Sequence, residues 1–217
     1  MAGVSAGTRL ALFDFDGTLC AGNTLHLLIR HLLSGRASAS RIASWALARK
    51  LRFVSSRRFK NGILAALPSG DREALRRLGE ELYVQRVRPL LRSRGLAELE
   101  RRRREGYRVI VVTGAFDFLI GPFCREHELA ECLCCAVARD EPSGTWRIDG
   151  AEMRGEDKVA AVLGYLGTEP VDWPGSTAYT DDVRDLPLVR MTGQRYLVVD
   201  GPGRGEDVQF VDWGGRS

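Results

Sequence analysis

Five short runs of apolar residues punctuate the chain: 9–15 (RLALFDF), 107–113 (YRVIVVT), 132–138 (CLCCAVA), 176–181 (STAYTD) and 195–199 (RYLVV). Their length and their β-branched or aromatic residues read as strands. Between the later ones, the stretches near 115–127 and 155–166 repeat apolar positions at helical spacing. Strands alternating with helices predict a parallel sheet with crossover helices. The tail VQFVDWGGRS is expected to add an edge strand, and EPSGTWRIDG a small hairpin near the sheet.

The interval 22–105 breaks this alternation, because it carries no convincing strand. TLHLLIRHLL has an apolar stripe, SRIASWALARKLRFVSSRRFKNGILAAL is amphipathic and basic, and DREALRRLGEELYVQRVRPLLRSRGLAELERRRREG fits helices broken near Pro89 and Gly95. The expected fold is therefore α/β, a Rossmann-like parallel sheet flanked by helices, with an inserted all-helical cap. Residues 1–21 and 106–217 would form the core and 22–105 the cap.

At 217 residues, 44% apolar and 28% charged, the chain can bury a substantial core and is neither disordered nor a membrane bundle. MAGVSAGTRL lacks the basic start and apolar core of a signal peptide, and Asp117 interrupts the longest apolar stretch. The cytoplasm is the expected compartment. The net charge of +4 is unevenly spread, with 21 Lys/Arg against 7 Asp/Glu between residues 22 and 108 and 11 against 21 elsewhere. Five cysteines, three of them at 132, 134 and 135, read as buried reduced thiols, since Cys124, His127 and this trio lack a paired CxxC. His26, His31 and His127 show no metal-ligand spacing.

Candidate chemistry collects where strands end. Asp14 and Asp16 lie at the carboxyl end of the first strand, where open parallel sheets bind ligands, and side chains two apart in an extended segment address one side. The alternative is that Asp16-Gly17-Thr18 merely shapes a turn. The second strand ends in Thr113-Gly114, a hydroxyl and free N–H suited to a phosphate oxygen or to capping a helix. Lys158, near the start of a helix, is placed against the dipole's preference and points to an anionic partner or to plain solvation. Asp181, Asp182 and Asp185 cluster after a fourth strand, and such carboxylates suit a hard divalent cation or a solvated acidic loop.

In this order, DFDGT, VVTG, Lys158 and TDDVRD resemble the haloacid dehalogenase superfamily, and the helical insert resembles the C1-type cap of its phosphoserine phosphatase-like branch. The likeness runs from Leu10 to about Val199. It implies a Mg2+-dependent hydrolase of a small phosphate monoester. Asp14 would be the nucleophile that forms an aspartyl-phosphate, and Asp16 the general acid and then base. Thr113, Gly114 and Lys158 would hold the phosphoryl oxygens. Asp14, the carbonyl of Asp16 and Asp181 would bind metal, with Asp182 the weaker candidate and Asp185 holding Lys158 or a metal-bound water.

Two departures qualify the likeness. The branch commonly reads DxDST with a glutamate a few residues on, and here LCAGNTLHLL has Asn23 and no acid, which argues against phosphoserine itself. Thr180 stands where glycine is usual before the metal aspartate. The basic stretch 41–60 also admits a lipid phosphate as substrate at an anionic membrane surface, although packing of its apolar stripe inside the cap is the simpler expectation. A non-catalytic anion- or nucleic-acid-binding module is the remaining alternative. No aromatic-interleaved basic platform is present, so nucleic acid is not an expected partner.

Overall fold

Leu10–Phe13, the first strand β1, has four apolar side chains and all four are buried. A strand reads this way only when both faces of its sheet are covered. The structure is a computed structural model that describes residues 7–34, 42, 44, 45, 47, 49, 54–67, 70–199 and 208–213. Leu10 and Leu12 pack into one apolar cluster and Ala11 and Phe13 into another, so the period-2 alternation of β1 feeds two cores.

The remaining strands are β2 (Arg108–Phe116), β3 (Cys132–Cys135), β4 (Val137–Asp140), β5 (Thr145–Ile148), β6 (Thr177–Thr180), β7 (Gln194–Val198) and β8 (Gln209–Val211). Six form one sheet in the order β3-β2-β1-β6-β7-β8, with every neighbouring pair parallel. The expected α/β fold with helices on both faces is thus present. The tail supplies the edge strand β8, and β4 and β5 form the hairpin, which interrupts the single run expected at 132–138. Phe13, Tyr179 and Tyr196 stack in sequence across β1, β6 and β7, with centroids 4.5 and 4.7 Å apart.

Seven helices are used below: α1 (Thr24–Ser34), α2 (Ser56–Leu64), α3 (Arg72–Leu82), α4 (Ser93–Arg104), α5 (Asp117–Glu126), α6 (Glu156–Leu166) and α7 (Leu186–Val189). Between β1 and α4 every described element is helical, including a π-helical turn at Tyr83–Val87 and a 3-10 turn at Arg88–Leu90 that carries Pro89. The other expected break does not occur at Gly95, which lies inside α4. A Cβ there would fall 2.9 Å from the Trp213 ring, so the glycine lets α4 sit close to the tail. This helix, placed in the cap by its sequence, packs on the sheet. Leu99 is buried with Phe13, and Arg102 donates to Tyr179 Oη and to Gln194, each at 3.0 Å.

Among the other insert elements, α2 is stapled to the hairpin. Asn61 accepts from the Ile148 N–H at 2.8 Å, and Arg57 donates to the Gly150 carbonyl at 2.7 Å. Trp45 is partly buried against the core, its ring where a Cβ on Gly62 would stand. That contact uses the Trp45 face for packing; Leu51 and Phe53 of the same basic stretch lie outside the described residues. No described helix is long and apolar enough to cross a membrane.

Candidate active site

The chain turns from one half of the sheet to the other between β1 and β6, because β2 and β3 lie to one side of β1 while β6, β7 and β8 lie to the other. The splaying of connections at such a switch point leaves a crevice beyond the strand ends. Asp14 follows β1 directly, Asp181 follows β6, and the Asp14 N–H donates to the Tyr179 carbonyl at 2.9 Å, carrying strand pairing to the edge of the crevice. A cavity of about 240 Å3 occupies it.

Asp14 is 9% exposed and lies at the end of a buried ionic chain. Lys158 Nζ is 2.9 Å from Asp14 and 2.6 Å from Asp185, and Asp185 in turn accepts from the Gly155 N–H at 2.7 Å. The backbone turn at Gly155, with φ +55°, begins α6 and so places both Lys158 and the N–H that holds Asp185. Burial pushes the Asp14 carboxyl up to about 7; Lys158 works against this, while Asp185 and Asp181 reinforce it. Burial alone would lower Lys158, but Asp14 and Asp185 outweigh it and hold the ammonium above its ordinary value. The sequence clue, a lysine at the wrong end of a helix, is accounted for by these two carboxylates.

Asp16 takes its place through α1. Its two carboxylate oxygens accept from the N–H and the hydroxyl of Thr24, both at 2.9 Å, while Asn23 accepts from the His26 N–H at 3.1 Å. Both residues satisfy donors that the start of a helix leaves free. Burial raises the Asp16 carboxyl to about 6 despite these bonds.

Thr113 and Gly114 line the cavity, but not as a strand end. Strand β2 continues to Phe116, its pairing with β3 shifts register between Val112 and Phe116, and α5 starts after Phe116 with no side-chain cap. The two residues therefore sit in a bulge, a device that redirects side chains beside a site, and the helix-cap alternative for Thr113 is set aside. Gly114 has a packing reason as well, since a Cβ would come within 3.2 Å of the Met153 carbonyl oxygen.

Asp181 is exposed at the cavity mouth and accepts from the Thr18 hydroxyl at 3.1 Å; a Cβ on Gly17 would collide with it. Asp182 also lines the cavity, yet its carboxylate is engaged by the N–H and guanidinium of Arg184. All eight sequence candidates are thus brought to one cavity.

The sequence missed the opposite wall. Lys60 of α2 donates to the Gly114 carbonyl at 3.2 Å and lies 3.6 Å from Glu152, which also bonds the Ser56 hydroxyl. Met153 next to Glu152 has φ +59°, a left-handed backbone that a non-glycine residue adopts only under constraint. No local motif marks Ser56, Lys60 or Glu152. Thr24 was signalled only as the first residue of an apolar stripe.

Among the described residues no group of three or more His, Cys, Asp or Glu side chains is arranged as a metal site. The candidate donors for a cation are two carboxylates, Asp14 and Asp181, and the backbone oxygen of Asp16. That set fits a small hard cation that keeps waters and takes few protein ligands. Burial first, and then Asp185 and Asp181, raise the Asp14 carboxyl, and a cation beside Asp14 and Asp181 would relieve the part that the neighbouring carboxylates add. The five cysteines are free and none lines this cavity; of the trio expected to be buried, Cys135 is, while Cys132 and Cys134 are only partly covered.

The family model for haloacid dehalogenase-like hydrolases matches residues 11–190, and the chain belongs to that family. It is a hydrolase by this membership. None of the curated proteins matches it. Among solved structures, a protein of unknown function from Bordetella pertussis Tohama I superposes with a TM-score of 0.81 at 22% identity, over 96% of this chain and 100% of that one. A phosphoserine phosphohydrolase-like protein from Francisella tularensis gives 0.62 at 16% identity, over 89% and 88%. A phosphoserine phosphatase with substrate bound gives 0.61 at 15%, over 88% and 86%. At these identities the likeness is one of fold.

Proposed function

We propose that the chain is a Mg2+-dependent hydrolase of small phosphate monoesters that works through an aspartyl-phosphate on Asp14. The observation that carries this reading is the Asp14 carboxylate held by Lys158 at 2.9 Å in a small polar cavity that Asp16 also lines. A phosphoserine phosphatase solved as a phospho-aspartyl intermediate analogue shares the fold, with a TM-score of 0.59 at 16% identity, and supports the same chemistry.

In the first half-reaction an Asp14 carboxylate oxygen bonds to phosphorus as the bond to the leaving oxygen breaks, and the Asp16 carboxyl gives that oxygen a proton. A carboxyl raised to about 6 retains a protonated fraction near neutral pH, which serves this donation. In the second half Asp16 takes a proton from water as the water attacks phosphorus, which frees phosphate and restores Asp14. Lys158 orients Asp14 and balances charge, and the Thr113 hydroxyl and Gly114 N–H are the donors for phosphoryl oxygens. A magnesium ion held by Asp14, Asp181 and the Asp16 carbonyl would supply the remaining neutralisation between two anions.

Release of phosphate from p-nitrophenyl phosphate tests the assignment. It is expected to need Mg2+, to stop with EDTA and to fall to background in Asp14→Asn. Activity that persists in Asp14→Asn would sink the nucleophile.

A further inference from the structure

Asp16, Asn23 and Asp181 line not one cavity but two. The second, about 340 Å3, opens between the first turns of α1 and the side chain of Leu90. A general acid must touch the leaving oxygen. With the phosphoryl group against Asp14 and Lys158 in the first cavity, a leaving group that passes Asp16 enters the second.

The α1 wall of this second cavity has its own chemistry. Asn23, His26, Leu27 and Arg30 line it, spaced three and four apart so that they share one helix face. Among the described residues Arg30 is the only Lys or Arg in the lining. In α3 and α4, Arg76, Arg101 and Arg103 each hold a carboxylate, whereas among the described residues Arg30 holds none and the His26 ring has no bonded partner. From Thr24, bonded to Asp16, to Arg30 is six residues, about 9 Å along a helix.

We propose that this cavity is the leaving-group subsite, where His26 and Arg30 select phosphate monoesters whose alcohol carries a second anionic group, a carboxylate or a further phosphate, several carbons from the first. The selection rests on the phosphatase reading, but its affinity does not depend on turnover. Leu27 and Leu90 give the connecting carbon chain its apolar contact.

The test compares 6-phosphogluconate with glucitol 6-phosphate, of equal length and differing in carboxylate against hydroxymethyl. Their affinities are measured by calorimetry on Asp14→Asn with Mg2+. The acid is expected to bind about tenfold tighter, the scale of one charge-assisted contact. Adding Arg30→Met should bring the two affinities together, while adding Lys60→Met should leave the difference standing. Fructose 1,6-bisphosphate against fructose 6-phosphate repeats the comparison for a phosphate as the second anion. Equal affinities within both pairs, no binding at all, or a difference that survives Arg30→Met and vanishes with Lys60→Met, overturns the subsite. The phosphatase reading stands or falls separately, on release of phosphate from p-nitrophenyl phosphate by the parent protein, since the affinity comparison uses an inactive variant.

Discussion

Two lysines reach the same cavity from opposite sides, and their settings differ in kind. Lys158, carried by the core helix α6, is 2% exposed and touches two carboxylates at 2.9 and 2.6 Å, one of them anchored by the Gly155 N–H. Lys60, carried by the insert, is 13% exposed and shares a 3.6 Å contact with Glu152 and a carbonyl bond at 3.2 Å. The first is part of the fold's electrostatic frame. The second is loosely held and has donor capacity left for a ligand. A group that must hold its geometry needs fixed partners and a group that meets a ligand needs exchangeable ones, and Lys158 and Lys60 differ in that way.

The harshest break of this contrast is Lys158→Met. It leaves Asp14 and Asp185 buried without their cation, and removing one partner of a buried ionic group costs about 3–5 kcal/mol. Urea unfolding should show this loss, and activity should disappear with it. If Lys158→Met unfolds at the parent's urea midpoint, the buried ionic chain is not part of the frame.

Asp16→Asn acts on chemistry more than on stability, because an amide oxygen can still accept one of the two Thr24 bonds. Turnover should fall by about 10²–10⁴-fold for alkyl phosphates, the range for a lost general acid. The loss should be smaller for p-nitrophenyl phosphate, whose leaving group needs little protonation. Equal losses on both ester types would argue against proton donation by Asp16.

The Asp14 side of the frame also has a pH signature. Its carboxyl is raised from 3.8 to about 7, so without a divalent cation the native state binds a proton that the unfolded chain has released. Stability attributable to Asp14 is therefore lost as pH rises from about 4 through about 7. Asp14→Asn has no such proton. Its melting temperature in EDTA should gain on the parent's across that window, and Mg2+ should narrow the gap at neutral pH by stabilising the parent. A gap that is flat with pH would show that Asp14 is not raised.

Much of this frame was legible in the chain because its signals are local. The LALF run, the carboxylates after two strands and a lysine in the first turn of a helix each combine one residue type with one position in an element. Features that depend on close approach were not legible. Gly95 reads as a helix stop until Trp213 is found against it, and Thr113 as a strand end until the register shift places it in a bulge. The packing of α4 on the sheet was hidden for the same reason, since Arg102 in a run of four arginines looks solvated until Tyr179 and Gln194 receive it. Ser56, Lys60 and Glu152 meet only through the tertiary fold, so that side of the cavity was the least visible.

The smallest expected effect probes that side. Lys60→Met removes one ion pair at 3.6 Å, one carbonyl bond and a contact with the Phe116 ring, and its urea midpoint should fall by less than that of Lys158→Met. Its remaining donor capacity faces the phosphoryl end of the cavity, beside Gly114. KM should therefore rise by up to about tenfold for esters of every kind, with kcat nearly kept, because a lost ground-state contact weakens binding without altering the chemical step. A large fall in kcat with KM unchanged would instead place Lys60 in the frame with Lys158. The two lysines would then differ in burial but not in function.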